Sequence, residues 1–277
     1  MINGNSALIA HFGDPIGIVK APLIYNPWFD SKGIDARVVP MGVRNADYAV
    51  TMPAVMRMTN VRGALVTMPH KVATVALLDR VTTAVRIARS CNAIRKAADG
   101  TLEGDLFDGA GFVRGLARKS VAVTGASALV VGAGGVGSAI AAALAAAGVA
   151  RLSLHDARPD VADALAGRLR EHYPSLDARR AAADAAGHDI VVNATPLGME
   201  PDDPLPIDPA QLRPETFVGE VVMKQAITPL LRAAQARGCR IQVGTDMLFE
   251  QIPAYLEFFG FGTTTADELR AVSAIRY

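Results

Sequence analysis

Gly132-Ala133-Gly134-Gly135-Val136-Gly137 is the stretch that decides the fold, and its setting matters as much as its spacing. A short apolar run, 128–131, leads into it, and an alanine-rich segment, 138–147, leads out. That order reads as strand, glycine turn, helix. In such a loop the first glycine permits the turn, the second lets the backbone approach a pyrophosphate, and the third lets helix and strand pack closely. The helix start offers free N–H groups and a positive dipole end to phosphates. A second predicted strand, 151–155, ends at Asp156, near the spacing expected of an acid that binds an adenosine ribose. Glycines serve ordinary turns and packing as well, so a purely structural loop is the alternative. The loop lies near mid-chain, which predicts a second unit ahead of it.

Composition narrows the class. At 277 residues the chain is long enough for two cores without disulfide staples. Formal net charge is +1 with acids and bases interspersed, which gives no electrostatic footprint for nucleic acid or an anionic membrane. Cys91 and Cys239 are far apart and show no CxxC pairing, as expected of small buried thiols in a reducing, cytoplasmic setting. His11, His70, His155, His172 and His188 lack ligand spacing, so no metal site is expected. Residues 1–14 carry an early Asp14 and lack the basic start and continuous apolar run of a signal peptide. The longest apolar segment, 136–150, is short for a membrane span and is interrupted by Gly137, Ser138 and Gly148.

The remaining chain predicts alternating α/β layers. Strands are expected at 7–12, 35–40 and 63–67, with helices at 22–32, 45–60, 72–79 and 82–89. A hairpin, 92–96 with 101–104, turns on Asp99-Gly100, and a helix at 108–119 leads to the glycine loop. Beyond 155, helices are expected at 163–172, 228–237, 247–259 and 266–273, with strands at 189–193, 216–222 and 240–243. The acid- and proline-rich 202–209 reads as a surface loop.

Taken together, the motifs resemble the shikimate/quinate dehydrogenase family along nearly the whole chain. They are Gly13-Asp14-Pro15-Ile16, Lys20-Ala21-Pro22, Val66-Thr67-Met68-Pro69-His70-Lys71, Asn92-Ala93, Gly104-Asp105 and Asp108-Gly109. After the glycine loop come Asn193-Ala194-Thr195-Pro196-Leu197-Gly198-Met199, Thr228-Pro229-Leu230-Leu231 and Gly244-Thr245-Asp246-Met247-Leu248 with Gln251. The resemblance implies an N-terminal substrate domain (1–109), a Rossmann-like dinucleotide domain (110–243) and C-terminal helices (244–277) that return to the first domain. It further implies hydride transfer between a nicotinamide and a ring hydroxyl or ketone, with a hinge between the domains. Lys71 and Asp108 match the lysine and aspartate that handle the proton, which must leave the hydroxyl as hydride departs. Taken alone, Lys71 reads more readily as a solvated helix-start lysine, a reading its place after Thr67-Met68-Pro69-His70 reverses, and Asp108 reads also as a helix N-cap. Thr67, Asn92 and Gln251 match substrate-contacting positions. Gly132, Ala133, Gly134, Gly135, Val136, Gly137, Asp156, Arg158, Asn193, Ala194, Thr195, Val221, Gly244 and Met247 match the cofactor side.

The departures cluster around the substrate. Val19 and Ala21 stand where the family carries a Ser-x-Ser that grips a carboxylate, Leu65 where it carries an asparagine, and Leu106-Phe107 where it carries Asn-Thr. Met223 replaces a tyrosine and Glu220 an aspartate. Each buried polar substrate group left unpaired costs about 1–3 kcal/mol, which several times over disfavours shikimate. The replacements suit a less hydroxylated ring substrate; the alternative is that they pack a core while Lys20 or Lys224 holds the carboxylate. For the nicotinamide, Asp156-Ala157-Arg158 replaces the Asn-Arg-Thr of NADP users, which favours NAD with NADP possible; the alternative is that Asp156 merely caps the next helix. Competing functions are a folate-type dehydrogenase, which wants a tyrosine where Thr67 stands, and a non-catalytic nucleotide sensor. A small-molecule substrate and a monomer or homodimer complete the expectation.

Overall fold

The computed structural model describes residues 2–200 and 202–275. The chain forms two compact units, Met1–Phe107 with Ile252–Tyr277, and Asp108–Gln251. These breaks fall close to the expected end of the first domain and eight residues beyond the expected start of the returning C-terminal segment. The later one lies inside a helix, beside Pro253, which the helix accommodates without ending.

The first unit holds β1 (Ala7–Gly13), α1 (Pro22–Ser31), β2 (Ala36–Gly42), α2 (Asn45–Met56), β3 (Val61–Val66), α3 (Lys71–Val75), β4 (Arg80–Val81), α4 (Thr83–Ala88), β5 (Ala93–Lys96) and β6 (Leu102–Asp105). Its six-stranded sheet runs β2-β1-β3-β5-β6-β4. β1 pairs in parallel with β2 and β3, and the hairpin β5–β6 adds antiparallel to β3. Pro22 at the first turn starts α1, where its missing N–H costs nothing. Ile24, Phe29, Tyr48 and Met52 are fully buried on this sheet's helices, and Phe29 sits edge-on to Trp28.

The second unit begins with α5 (Asp108–Arg118) and continues through β7 (Ser127–Val131), α6 (Gly135–Ala146), β8 (Arg151–His155), α7 (Pro159–His172), β9 (Asp177–Arg180), β10 (Ile190–Asn193), β11 (Phe217–Glu220), α8 (Pro229–Ala236) and β12 (Arg240–Gln242). α9 (Gly244–Phe259) starts here and ends in the first unit, followed there by α10 (Ala266–Val272). The sheet is entirely parallel, in the order β12-β11-β10-β7-β8-β9. This is the doubly wound order, whose direction of winding reverses between β7 and β10. A ligand crevice is expected outside the carboxyl ends of those two strands, the point where the glycine loop stands.

Several expected boundaries shift for physical reasons. α6 starts at Gly135, three residues early, because the glycine loop is itself the helix N-terminus. α7 starts at Pro159 and α9 at Gly244, both ahead of their first apolar repeat. α2 stops at Met56 and α3 after a single turn at Val75. β4 and β9 were not expected: one is two residues long, and the other, Asp-Ala-Arg-Arg, presents mostly charge on an exposed edge. No helix of the described residues is long and apolar enough to cross a membrane.

Phe112 of α5 is fully buried against the backbone of Gly219 in β11. Phe112→Ala should lower the stability of the second unit by about 3–5 kcal/mol, measured by denaturant unfolding.

Candidate active site

The glycine loop is built by contacts that exclude side chains. Gly132 has φ +98°, a left-handed conformation, and a Cβ there would press on the Ala194 carbonyl at 2.8 Å. A Cβ at Gly137 would collide with the Gly132 carbonyl. Gly134 differs: it is exposed, and the space where its Cβ would lie is open. The loop thus closes tightly on itself at its first and last glycines and leaves a gap at the middle one. Gly134 precedes the first residue of α6, so the gap faces unsatisfied helix N–H groups.

Asp156, just past the end of β8, is held at both oxygens. One accepts the Ala133 N–H at 2.8 Å and the other the Arg158 N–H at 2.9 Å. The carboxylate is therefore fixed against the glycine loop, and α7 is left without a side-chain cap, since its N-cap is Arg158. That removes the simple capping role for Asp156. The Arg158 side chain is largely exposed, with its Nε 3.9 Å from the Asp156 carboxylate.

At the end of β10, Asn193 organises a closed turn. Its Oδ1 accepts the Thr195 N–H at 3.1 Å and the Thr195 hydroxyl at 2.6 Å, while its amide donates to the Leu197 carbonyl at 3.0 Å. Ala194 lies against Gly132 and Gly137, so small residues on both strands let this turn meet the glycine loop. The Val221 N–H bonds the Asn193 carbonyl at 3.2 Å. Gly244 is jammed against the Val222 carbonyl, and Met247 is buried. Gly132, Ala133, Gly134, Gly135, Val136, Gly137, Asp156, Asn193, Ala194 and Thr195 thus gather at the carboxyl ends of β7, β8 and β10.

Glu220 is a buried carboxyl paired in register with Asn193. Burial pushes it up to about 7, and the neighbouring Thr228 and Asn193 side chains only partly offset that. Reading the sequence flagged the position only as a replacement of aspartate; its burial follows from β11 being a central strand.

In the first unit, α3 and the loop before it are fixed by buried polar contacts. His70 is fully buried, its Nε2 lies 2.7 Å from the Val43 carbonyl, and its ring stacks on Tyr48 at 4.0 Å. The Tyr48 hydroxyl meets Thr74 Oγ1 at 2.7 Å, and Thr74 donates back to the His70 carbonyl. Lys71 follows immediately, and its carbonyl accepts the Cys91 N–H at 2.9 Å. Asn92 is buried; its Oδ1 accepts the Phe107 N–H at 3.0 Å, while its amide nitrogen has no partner among the described residues. Thr67 is half-buried beside this group, its N–H bonded to the Phe12 carbonyl. Lys71, Thr67 and Asn92 are therefore brought together.

The apolar replacements divide. Leu65 is buried on β3. Phe107 is buried too, packed edge-on against Tyr255 at 4.8 Å and Phe258 at 5.5 Å, so its ring belongs to an aromatic core. Val19 and Ala21 are half-buried around the start of α1. Met223 is exposed in the second unit, where Lys224 pairs with Glu200 at 2.5 Å. Asp108 and Gln251 also belong to the second unit and are buried, Gln251 with an unpartnered Oε1. Cys91 and Cys239 are buried free thiols.

A doubly wound parallel sheet with a glycine loop at its switch point, joined to a separate α/β unit, defines a two-domain oxidoreductase of the dinucleotide-binding class. Comparison with known proteins specifies it. A sequence model of the shikimate dehydrogenase substrate binding domain matches residues 12–94. The chain is 37% identical over 276 residues to shikimate dehydrogenase (NADP(+)) of Acidiphilium cryptum, covering 99% of this chain and 98% of that one. Shikimate 5-dehydrogenase of Listeria monocytogenes, solved with shikimate and NAD, superimposes with a TM-score of 0.91 at 26% identity, covering 98% and 97% of the two chains. 5-Ketofructose reductase of a Gluconobacter strain superimposes with a TM-score of 0.88 at 26% identity, covering 98% of each chain. The chain belongs to the shikimate dehydrogenase family.

Gly134→Ala and Gly137→Ala should separate binding from folding. The first should leave the unfolding midpoint nearly unchanged while weakening dinucleotide binding about tenfold or more, because the new methyl fills the open gap. The second should destabilise the second unit outright. Calorimetric melting and dinucleotide titration distinguish them.

Proposed function

We propose that the chain is a nicotinamide-dependent dehydrogenase that passes hydride between a ring hydroxyl or ketone and the dinucleotide. The observation that carries this reading is the pairing of the open Gly134 gap with an Asp156 carboxylate held against it. The residues present fit a dinucleotide: the gap and the α6 N-terminus would receive the pyrophosphate, and Asp156 would accept hydrogen bonds from the adenosine ribose. When bound, the nicotinamide supplies the hydride acceptor. Val221, Gly244 and Met247 are assigned to its neighbourhood on the family pattern.

Lys71 and Asp108 handle the proton. Lys71 receives or returns the hydroxyl proton, and Asp108 holds the charge balance of that transfer. The buried stack beneath α3 fixes the Lys71 backbone, which matters because a displaced acid/base loses much of its rate advantage. Thr67, Asn92 and Gln251 orient the substrate, with Val19, Ala21, Leu65, Phe107 and Met223 leaving fewer polar contacts than shikimate offers. A less hydroxylated ring substrate fits this better, and the ketofructose reductase likeness supports the family's tolerance for other substrates. The Phe107 ring is in addition held by Tyr255 and Phe258.

Two cofactor readings remain, each with its own observation. The Acidiphilium relative carries NADP(+) in its name, and the Listeria structure holds NAD. The fixed Asp156 carboxylate opposes a 2′-phosphate by charge, which favours NAD, and the exposed Arg158 offers partial relief to NADP. Cytoplasmic residence is consistent with the two free thiols. The oligomer is taken as a monomer or homodimer.

The first test is NAD(P)H formation with shikimate, quinate and less hydroxylated ring alcohols. Lys71→Ala should reduce kcat at least about a hundredfold while leaving dinucleotide affinity unchanged. Turnover unaffected by that change would sink the assignment. Asp156→Asn should shift preference toward NADP, with the ratio of kcat/KM for the two cofactors moving about tenfold.

A further inference from the structure

His11 lies on β1 in register with Leu65 of β3, so the two side chains share one face of the sheet near the carboxyl ends of parallel strands. Leu65 is in turn in register with Ala93, the residue after Asn92. His11 is only 7% exposed, and its Nδ1 is buried without a partner. The Asn92 amide nitrogen is buried and unpartnered in the same way. Both atoms lie in the first unit, where His70 Nδ1 and Ser90 Oγ are also buried without partners, and His11 is the one that shares a sheet face with Leu65. Each carries a desolvation cost that a ligand oxygen would relieve.

The charge state of His11 limits what that oxygen can be. Burial and the nearby Lys71 ammonium hold the imidazole down to about 4, so it is neutral through the physiological range. A neutral imidazole offers one donor and one acceptor nitrogen, which matches a hydroxyl, itself both donor and acceptor.

Resting on the dehydrogenase reading above, we propose that His11 is a specificity-determining residue. It binds an uncharged ring hydroxyl of the substrate, one that does not react, and takes over from the neighbouring strand the polar role that Leu65 no longer fills. The substrate class is then a ring alcohol or ketone with a second hydroxyl near the reacting carbon.

The experiment pairs kinetics with a spectroscopic readout. His11→Leu should raise KM for substrates bearing that hydroxyl about 10–30-fold, with kcat changed less than about threefold and dinucleotide affinity unchanged. For analogues lacking the hydroxyl, wild type and variant should coincide. Leu65→Asn placed in the His11→Leu background should recover most of the lost KM. In parallel, ¹⁵N-histidine spectra of the wild-type protein with oxidised dinucleotide should show the His11 nitrogens shifting on addition of shikimate, quinate or their deoxy analogues, the last least. A His11 signal unmoved by every compound overturns the proposal whether or not turnover occurs. An unchanged KM in a folded, active His11→Leu enzyme overturns it too. A shifted His11 signal without turnover would keep the subsite and remove the activity, so the two failures are separate.

Discussion

The second unit depends on an approach that only glycine permits, the seating of Gly137 on the Gly132 carbonyl. With no side chain at either position, α6 can begin directly off β7 and lie against Ala194 at the end of β10. Everything at the crevice follows from that closeness. The Ala133 N–H is turned toward β8 and captures Asp156, while the Asn193 turn closes over the other side. A methyl group at Gly132 or Gly137 would force these strands and the helix apart; at Gly134 it would meet nothing. Conformational need and close packing account for Gly132 and Gly137, and neither accounts for Gly134.

Glu220 shows the opposite economy. A buried carboxyl whose ionisation is held up to about 7 is tolerated beside this turn, although its folded form resists charging. Because the folded value lies above the ordinary glutamate value, the stability it carries is full in acid. It declines as pH rises from about 4.5 through 7, where the unfolded chain ionises freely and the folded one does not. The shorter aspartate typical of the family would place its carboxyl differently against Asn193. The replacement therefore makes the Asn193 turn a place where protonation and local order meet.

Much of this was legible in the sequence because the relevant signals are local. The apolar run before Gly132, the Asp156 spacing and the Asp99-Gly100 hairpin each need only a few neighbouring residues to be read. β4 and β9 were illegible for the same reason: two residues and a charged tetrapeptide have no period, and they become strands only because a neighbouring edge offers hydrogen bonds. The break inside α9 was likewise hidden, since a continuous helical pattern carries no mark of which core it joins. His11 was dismissed with the other histidines on ligand spacing, a test along the chain, whereas its significance lies across strands, in its register with Leu65. Phe107 is a further case: its sequence position assigns it to the substrate, and its ring contacts with Tyr255 and Phe258, remote in sequence, are visible only in the fold.

The apolar replacements differ in their surroundings. Phe107 strengthens a core, Met223 sits exposed in the other unit, and Lys224 is already engaged by Glu200. Leu65 lies in register with His11, whose Nδ1 lacks a partner, and the Phe107 N–H is bonded to Asn92, whose amide nitrogen lacks one. If the substitutions had simply removed polarity, Asn92 would be expected to lose its role along with the asparagine at 65, and a buried histidine with an idle nitrogen would be an unrelieved cost. Instead the idle atoms of His11 and Asn92 persist near Lys71, in the unit that holds the Tyr48–His70–Thr74 stack and where His70 Nδ1 and Ser90 Oγ are likewise buried without partners. Polarity in this unit has been moved as well as lost, and a moved hydrogen-bonding group selects a differently decorated ring more sharply than a merely apolar one would.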